Sequence, residues 1–341
     1  MEIKIYSEIT HPDLDQWDGL LGQSVTDVPF LQRGYLEKWC SCWGGGEWPI
    51  DARMMVFSGW EAGNLLGLAP LFLTSDADSR RTLHFLGSEE ISDYLDFIAK
   101  PHDMQLFIHS LLAYLNQNDV EKIDGLSLVN IPQDSPALNA LETGAEELGW
   151  SVQIEKAYHT PVIKLAENWD NYLSGIDKKQ RHEIRRKLRR VEDEAGRIAW
   201  YYVKDRQNLQ NEIEAFFKLM ELDDQKKEFL SPVMQEQMYA ILSWAFDEGF
   251  LQLSFLEING EKAAVYCCFD YKNRVYVYNS GFNIAFSSFS PGWVLLSYLI
   301  QHAILNKKSH FDFMRGDEAY KYRFGAVDSF VMRAILNRNT A

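Results

Sequence analysis

Ser309 to Val327, SHFDFMRGDEAYKYRFGAV, is the stretch that decides the fold. Phe311 and Phe313 alternate with Asp312, a period of two that marks a strand over His310–Met314. The strand runs directly into Arg315, Asp317, Glu318, Tyr320, Lys321, Tyr322 and Arg323. Upstream, Ser290-Pro291-Gly292 opens an apolar helix over Pro291–Leu305: Ser suits an N-cap, and Pro suits the first helical position because its missing N–H is not needed there. A helix that returns to a strand, with charge gathered at the strand's end, is the layout of an α/β-type fold that performs chemistry at that end.

Working outward, three strands precede this helix. Leu251–Ile258 turns through Asn259-Gly260 into Ala263–Phe269, and Lys272-Asn273 leads into Val275–Ser280. Before them come a helix from Ser231-Pro232 to Glu248, a helix from Leu209 to Leu222 and a strand over Arg197–Val203. The first half repeats the sketch: strands at the N-terminus, Arg53–Phe57, Leu65–Leu73 and Thr82–Leu86, helix Gln105–Leu115, strand Gly125–Val129, helix Ala137–Leu148 and strand Ser151–Ile154. The expected boundary gives units of 1–155 and 156–341.

The 341 residues carry a net charge of −15, which argues against a general nucleic-acid binder. Residues 178–190, KKQRHEIRRKLRR, hold eight Lys/Arg and one Glu, a net of +7, leaving −22 on the remainder (−15 less +7). Ile184, Leu188 and Val191 share one stripe of this helix, so the arginines take the other face. That face is either a phosphate-binding stripe, with Arg181, Arg185 and Arg186 as its contacts, or a solvated surface paired with the acidic body. The cysteines, Cys40/Cys42 and Cys267/Cys268, lack zinc-site spacing, and the histidines form no metal motif. These features, with no segment long enough to span a bilayer, suggest a reducing cytoplasmic setting, no metal and no membrane span.

Two constellations offer chemistry. The helix start at Ser290, Pro291 and Gly292, with its free N–H groups, and Tyr278, Ser280 and Gly281 at the end of the preceding strand form either an anion cradle or simply a well-capped core helix. The small residues, Gly281 among them, would let a phosphate approach the backbone. In the second, Lys321 could stabilise an oxyanion while Asp317 or Glu318 accepts a proton and Asp312, Arg315 and Tyr320 contact substrate. The alternative is a surface ion-pair network.

The blocks from Trp169 through KKQRHEIRRKLRR, GEKAAVYCCF, YVYNSGFN, SPGWVLL and DFMRGDEAYKYRFG resemble, in that order, GNAT-superfamily acyltransferases of the CelD-like type, relatives of the Fem-type aminoacyltransferases. The resemblance covers residues 165–328. It implies an α/β (α+β) fold of two tandem GNAT-like units, each a mixed, mostly antiparallel sheet flanked by helices. An acyl donor would lie against the strand ending at Gly281, with its phosphates at the helix after Ser290. The usual Q/R-x-x-G-x-G/A pyrophosphate loop is absent, and SPG stands in its place. Tyr320-Lys321-Tyr322-Arg323-Phe324-Gly325 resembles the Fem-type F-K-x-x-F-G, which links Lys321 with the reaction centre. The implied function is N-acyl transfer from acetyl-CoA or another acyl-CoA to an amine of a sugar or small metabolite. The alternatives are a Fem-type transferase using charged tRNA and a non-catalytic binding module. On this reading Lys321→Ala keeps the fold and loses most of kcat.

Overall fold

A computed structural model describes residues 1–49, 51–87, 89–117 and 122–338. The chain forms two compact units, one of Met1–Tyr158 with the final strand and one of His159–Ser329.

In the first unit the strands are β1 (Glu2–Tyr6), β2 (Arg53–Glu61), β3 (Asn64–Ser75), β4 (Arg81–Phe85), β5 (Ile98–Ala99), β6 (Gly125–Pro132) and β7 (Trp150–His159). The helices are α1 (Trp17–Leu21), α2 (Arg33–Ser41), α3 (Met104–Gln117) and α4 (Pro136–Leu148). The second unit contributes β8 (Val162–Lys164), α5 (Trp169–Gly175), α6 (Lys178–Glu194), β9 (Ile198–Tyr202), α7 (Leu209–Met220), α8 (Asp224–Phe229) and α9 (Pro232–Asp247). It continues with β10 (Leu251–Ile258), β11 (Glu261–Tyr271), β12 (Arg274–Phe282), α10 (Pro291–Leu305), β13 (His310–Asp312) and α11 (Ala319–Arg323). The last strand, β14 (Phe330–Arg338), joins the first sheet, whose order is β1-β2-β3-β4-β6-β14-β7 with β5 beside β3. The chain thus returns to its first unit after completing the second, whereas a cut at residue 156 assigns the closing segment to the second. Nothing in the local pattern of Phe330–Arg338 reveals its long-range partner, β6.

The second sheet runs β8-β13-β12-β11-β10-β9. The β10–β11 hairpin forms because Asn259 and Gly260 both take positive φ, 55° and 84°, as a two-residue hairpin turn demands. On β11, Ala264, Tyr266 and Cys268 share one core with α10, while Val265, Cys267 and Phe269 point to the opposite face. Helix α10 is apolar almost all round because it is buried almost all round: Val294, Leu295, Leu299 and Ile300 are at most 1% exposed. Helix α6 shares this core through Ile184 and Val191.

Two features open the sheet. Cys267 pairs with Asn279 but Cys268 with Val277, so Tyr278 is an extra residue that bends β12. β12 also pairs with β13 only over Arg274–Tyr276, opposite His310–Asp312. The strand expected to reach Met314 stops at Asp312, and Met314 turns the chain away with φ 55°. From Val277 to Phe282, β12 therefore has a strand neighbour on the β11 side only, among the described residues.

Candidate active site

A cleft of about 380 Å³ lies beside this opened strand, lined by Lys187, Tyr266, Ser280, Gly281, Phe282, Ser287, Ser290, Pro291, Gly292, Trp293 and Tyr320. Six of these, Ser280, Gly281, Ser290, Pro291, Gly292 and Tyr320, stand out in the sequence. Tyr278 does not line the cleft; its ring packs on Phe269 with centroids 5.1 Å apart.

Ser290 is not the expected N-cap. It sits in the left-handed region, φ 53° and ψ 56°, and its side chain caps no N–H. Its Oγ instead takes a hydrogen bond from Lys187 Nζ at 2.6 Å, while its carbonyl accepts from the Trp293 and Val294 N–H groups at 3.0 and 3.2 Å. Lys187 also lies 5.0 Å from the Trp293 ring centroid and 3.5 Å from Glu183, with 16% of its side chain exposed. Its signal was present in the sequence: it follows Ile184 by three and precedes Val191 by four, on the inward flank of the helix. Eight basic residues in thirteen hide that distinction.

Gly281 has a packing role. A Cβ there would meet the backbone of Leu219 and Met220 on α7 at 2.7–2.8 Å, so the glycine lets α7 approach β12 rather than a ligand approach the strand. At Gly292 the space is open: an added Cβ would find only Phe282, at 3.9 Å. Lys226 of α8 donates to the Ser280 carbonyl and fixes the strand end from the other side. Burial lowers the Lys226 pKa, opposed by Asp223 and Glu318.

The charged cluster after β13 is largely self-satisfied. Lys321 is 2% exposed, and its Nζ meets the carbonyls of Arg315 and Gly316 at 2.6 and 3.0 Å and Glu318 Oε2 at 2.9 Å. An ammonium has three protons, and all three are taken. Lys321 thus fastens the Arg315–Glu318 turn and does not line the cleft. Gly316, at φ 111°, leaves the room this requires: a Cβ would meet Glu318 Oε2 at 2.4 Å and Lys321 Nζ at 2.9 Å. Asp312 is fully buried, with Arg274 Nη1 at 3.0 Å and the Met314 N–H at 2.8 Å, so it is a structural carboxylate rather than a substrate contact. The Arg315 carbonyl is part of the turn, and Asp317 and Glu318 are exposed.

The arginines of α6 do not reach the cleft lining. Arg181 reaches the Leu173 and Ser174 carbonyls of α5, both at 3.4 Å. Arg186 forks onto Glu183 at 2.7 and 2.9 Å, which is the main reason the Glu183 pKa falls to about 2. Arg185 lies 4.0 Å from Asp170.

Tyr266 and Tyr320 form the polar part of the cleft's apolar wall. Burial drives both phenol pKa values upward, and Glu318 adds to each. Both rings therefore keep their protons at neutral pH. Among the described residues, no carboxylate or imidazole lines the cleft. No group of three His, Cys, Asp or Glu suited to a metal occurs among the described residues. No helix among them is long and apolar enough to cross a membrane.

The Acetyltransferase (GNAT) domain family matches residues 178–322, the span that builds this cleft. The fold of the whole chain is similar to a FemX crystal structure, with a TM-score of 0.68, 12% identity and coverage of 98% of this chain and 97% of that one. L-PGS from Bacillus licheniformis gives a TM-score of 0.57 at 12% identity, covering 97% of this chain and 93% of its own. A tandem GNAT protein from the clavulanic acid biosynthesis pathway gives 0.50 at 10% identity, with both chains fully covered. No curated protein matches the sequence. Residues 178–322 thus carry an acetyltransferase (GNAT) domain, and the chain as a whole has a fold of two tandem GNAT-like units.

Proposed function

We propose that the second unit transfers an acyl group from an acyl-CoA thioester to the amine of a sugar or small metabolite by direct attack. The observation that carries this reading is the opening of β12 away from β13, next to a cleft that ends at the start of α10 and at Lys187. An extended, amide-containing donor arm fits along a strand whose edge lacks a neighbour, pairing through its own amides. Its phosphates fall to the α10 start and to Lys187, a cation standing where the family's glycine loop is missing. The apolar surface of Trp293, Pro291 and Phe282 excludes water from the thioester.

The acceptor amine, with a pKa near ~10, must lose a proton before it attacks. Glu318, exposed at the neighbouring turn and electrostatically coupled to Tyr320, is the proposed base, with Asp317 beside it as the second carboxylate. The nitrogen attacks the thioester carbonyl, and the oxyanion that forms meets a hydroxyl donor. Tyr320 takes that role here, since the protons of Lys321 are engaged in its own turn. Collapse of the intermediate breaks the C–S bond, releasing the amide and the thiolate of coenzyme A, which takes up the proton carried by the base.

Thiol release from acetyl-CoA, measured over a panel of amino sugars and small amines, tests the proposal. Release that depends on both substrates supports it. Stabilisation by charged tRNA and none by any acyl-CoA would replace this donor with the Fem-type one.

A further inference from the structure

The mouth of the cleft carries an apolar turn, of which the acyl-transfer reading draws on Phe282 but not on Ile284. After β12 the chain runs through Phe282-Asn-Ile-Ala-Phe-Ser-Ser-Phe289, in which Phe286 and Phe289 pack on the core while Phe282 and Ile284 are 51% and 63% exposed. No Asp, Glu, Lys or Arg occurs anywhere from Val275 to Asn306. Two large apolar side chains thus project from a short uncharged turn whose other aromatics anchor it.

Helix α6 packs directly on this turn and on α10. Its exposed residues include Lys178, Lys179, Arg185 and Arg189, within the segment that carries +7 on a body of −22. Some of this charge is met locally, Arg186 by Glu183, Arg190 by Glu194 and Arg185 by Asp170, and Glu192 and Asp193 lie at the far end. Such exposed pairs are weak and exchange partners readily. An uncharged apolar wedge beside a basic helix is complementary to a surface that is apolar beneath and anionic on top.

We propose that this face, the Phe282–Ile284 wedge together with the basic side of α6, docks on an anionic phospholipid bilayer. A protein partner fits less well. A stable protein interface needs roughly 800 Å² per side, far more than two side chains on one turn supply. Two interfacial anchors are sufficient where a basic helix adds attraction to anionic headgroups, because neither signal has to hold the protein alone. The docking stands whether or not the cleft transfers acyl groups.

The test is co-sedimentation of the full chain with phosphatidylcholine vesicles, with and without phosphatidylglycerol. The chain is expected to pellet only with the anionic vesicles and to be released by salt. Ile284→Glu removes an inserted side chain and is expected to weaken partition by about tenfold or more. Lys179→Glu with Arg189→Glu is expected to weaken it by at least about fivefold for each position, about 1 kcal/mol per basic residue near the surface. No partition of the unaltered chain at low ionic strength overturns the proposal. So does an Ile284→Glu variant that binds anionic vesicles as well as the parent, for then the basic helix alone recognises a polyanion, as parallel binding of bulk tRNA would show. Thiol release with a soluble amine, measured on each variant, reports that the fold is intact. Release without vesicle binding sinks the docking alone, and vesicle binding without release sinks the acyl-transfer reading alone.

Discussion

Lys321 and Lys187 are both lysines at least four-fifths buried in the same unit, yet they do opposite work. Lys321 lies in the charged stretch that follows β13, and its protons are spent on the turn that surrounds it, on the Arg315 and Gly316 carbonyls and on Glu318. Lys187 comes from a helix more than a hundred residues away in sequence and lines the cleft, with Ser290 Oγ at 2.6 Å. Charge concentrated in sequence tends to satisfy itself, because neighbours can fold back on one another at little entropic cost. Lys187 shares a local carboxylate, Glu183 at 3.5 Å, with Arg186, while its nearer contact, Ser290 Oγ, comes from an element distant in sequence and holds it at the cleft.

The comparison breaks most visibly at Lys321. Lys321→Ala leaves two backbone carbonyls without a partner inside the turn, and the expected loss is about 3 kcal/mol or more, read from urea unfolding. A variant with unchanged stability and a collapsed kcat would restore Lys321 to the reaction centre. Next in size is Tyr320→Phe, which removes the proposed oxyanion donor. It should lower kcat by about 10² with little change in donor KM. Unchanged turnover would move the donor role to Tyr266 or to the backbone.

Lys187→Ala sharpens the other side. It should raise the donor KM by about tenfold, the worth of one charge-assisted hydrogen bond, while leaving stability within about 1 kcal/mol. A CoA fragment lacking the phosphates should lose its discrimination between the parent and this variant. If the parent and variant bind full-length acyl-CoA equally, Lys187 is only a brace for Ser290.

The smallest effect concerns Glu183, which Arg186 and Lys187 hold at a pKa of about 2 in the folded chain. Because that value is depressed, the pair's stabilisation is present above the ordinary carboxylate range and is lost as pH falls towards 2. The pair sits at the surface, so solvent screening keeps its effect small. Comparing Glu183→Gln with the parent by thermal unfolding from pH 7 down to pH 3 checks this; a difference that widens as pH falls would reverse the sign.

Much of the architecture was legible. Helix α10 begins and ends where Pro291 and Leu305 place it, and β10 is bounded as Asn259-Gly260 requires, because caps and turns are local chemistry. Strand β13 is shorter than its alternation suggests, since Met314 turns left-handed to carry the chain off. At the site, Ser280, Ser290, Gly292 and Tyr320 were visible through strand ends and helix starts, whereas Tyr266 was not and the inward position of Lys187 was hidden among its basic neighbours. Each is ordinary within its own element and becomes a wall of the cleft only through packing.

Periodicity, capping residues and turn pairs were enough by themselves to determine most of the elements and the basic helix, since each depends on neighbours within a few residues, whereas the tandem plan came from the family resemblance. Only tertiary structure decided that β14 closes the first sheet, that Gly281 serves α7, that Lys321 is consumed by its own loop and that Lys187 is not. Those outcomes depend on which distant atoms compete for the same donors and the same space, and no pattern along one segment records that competition.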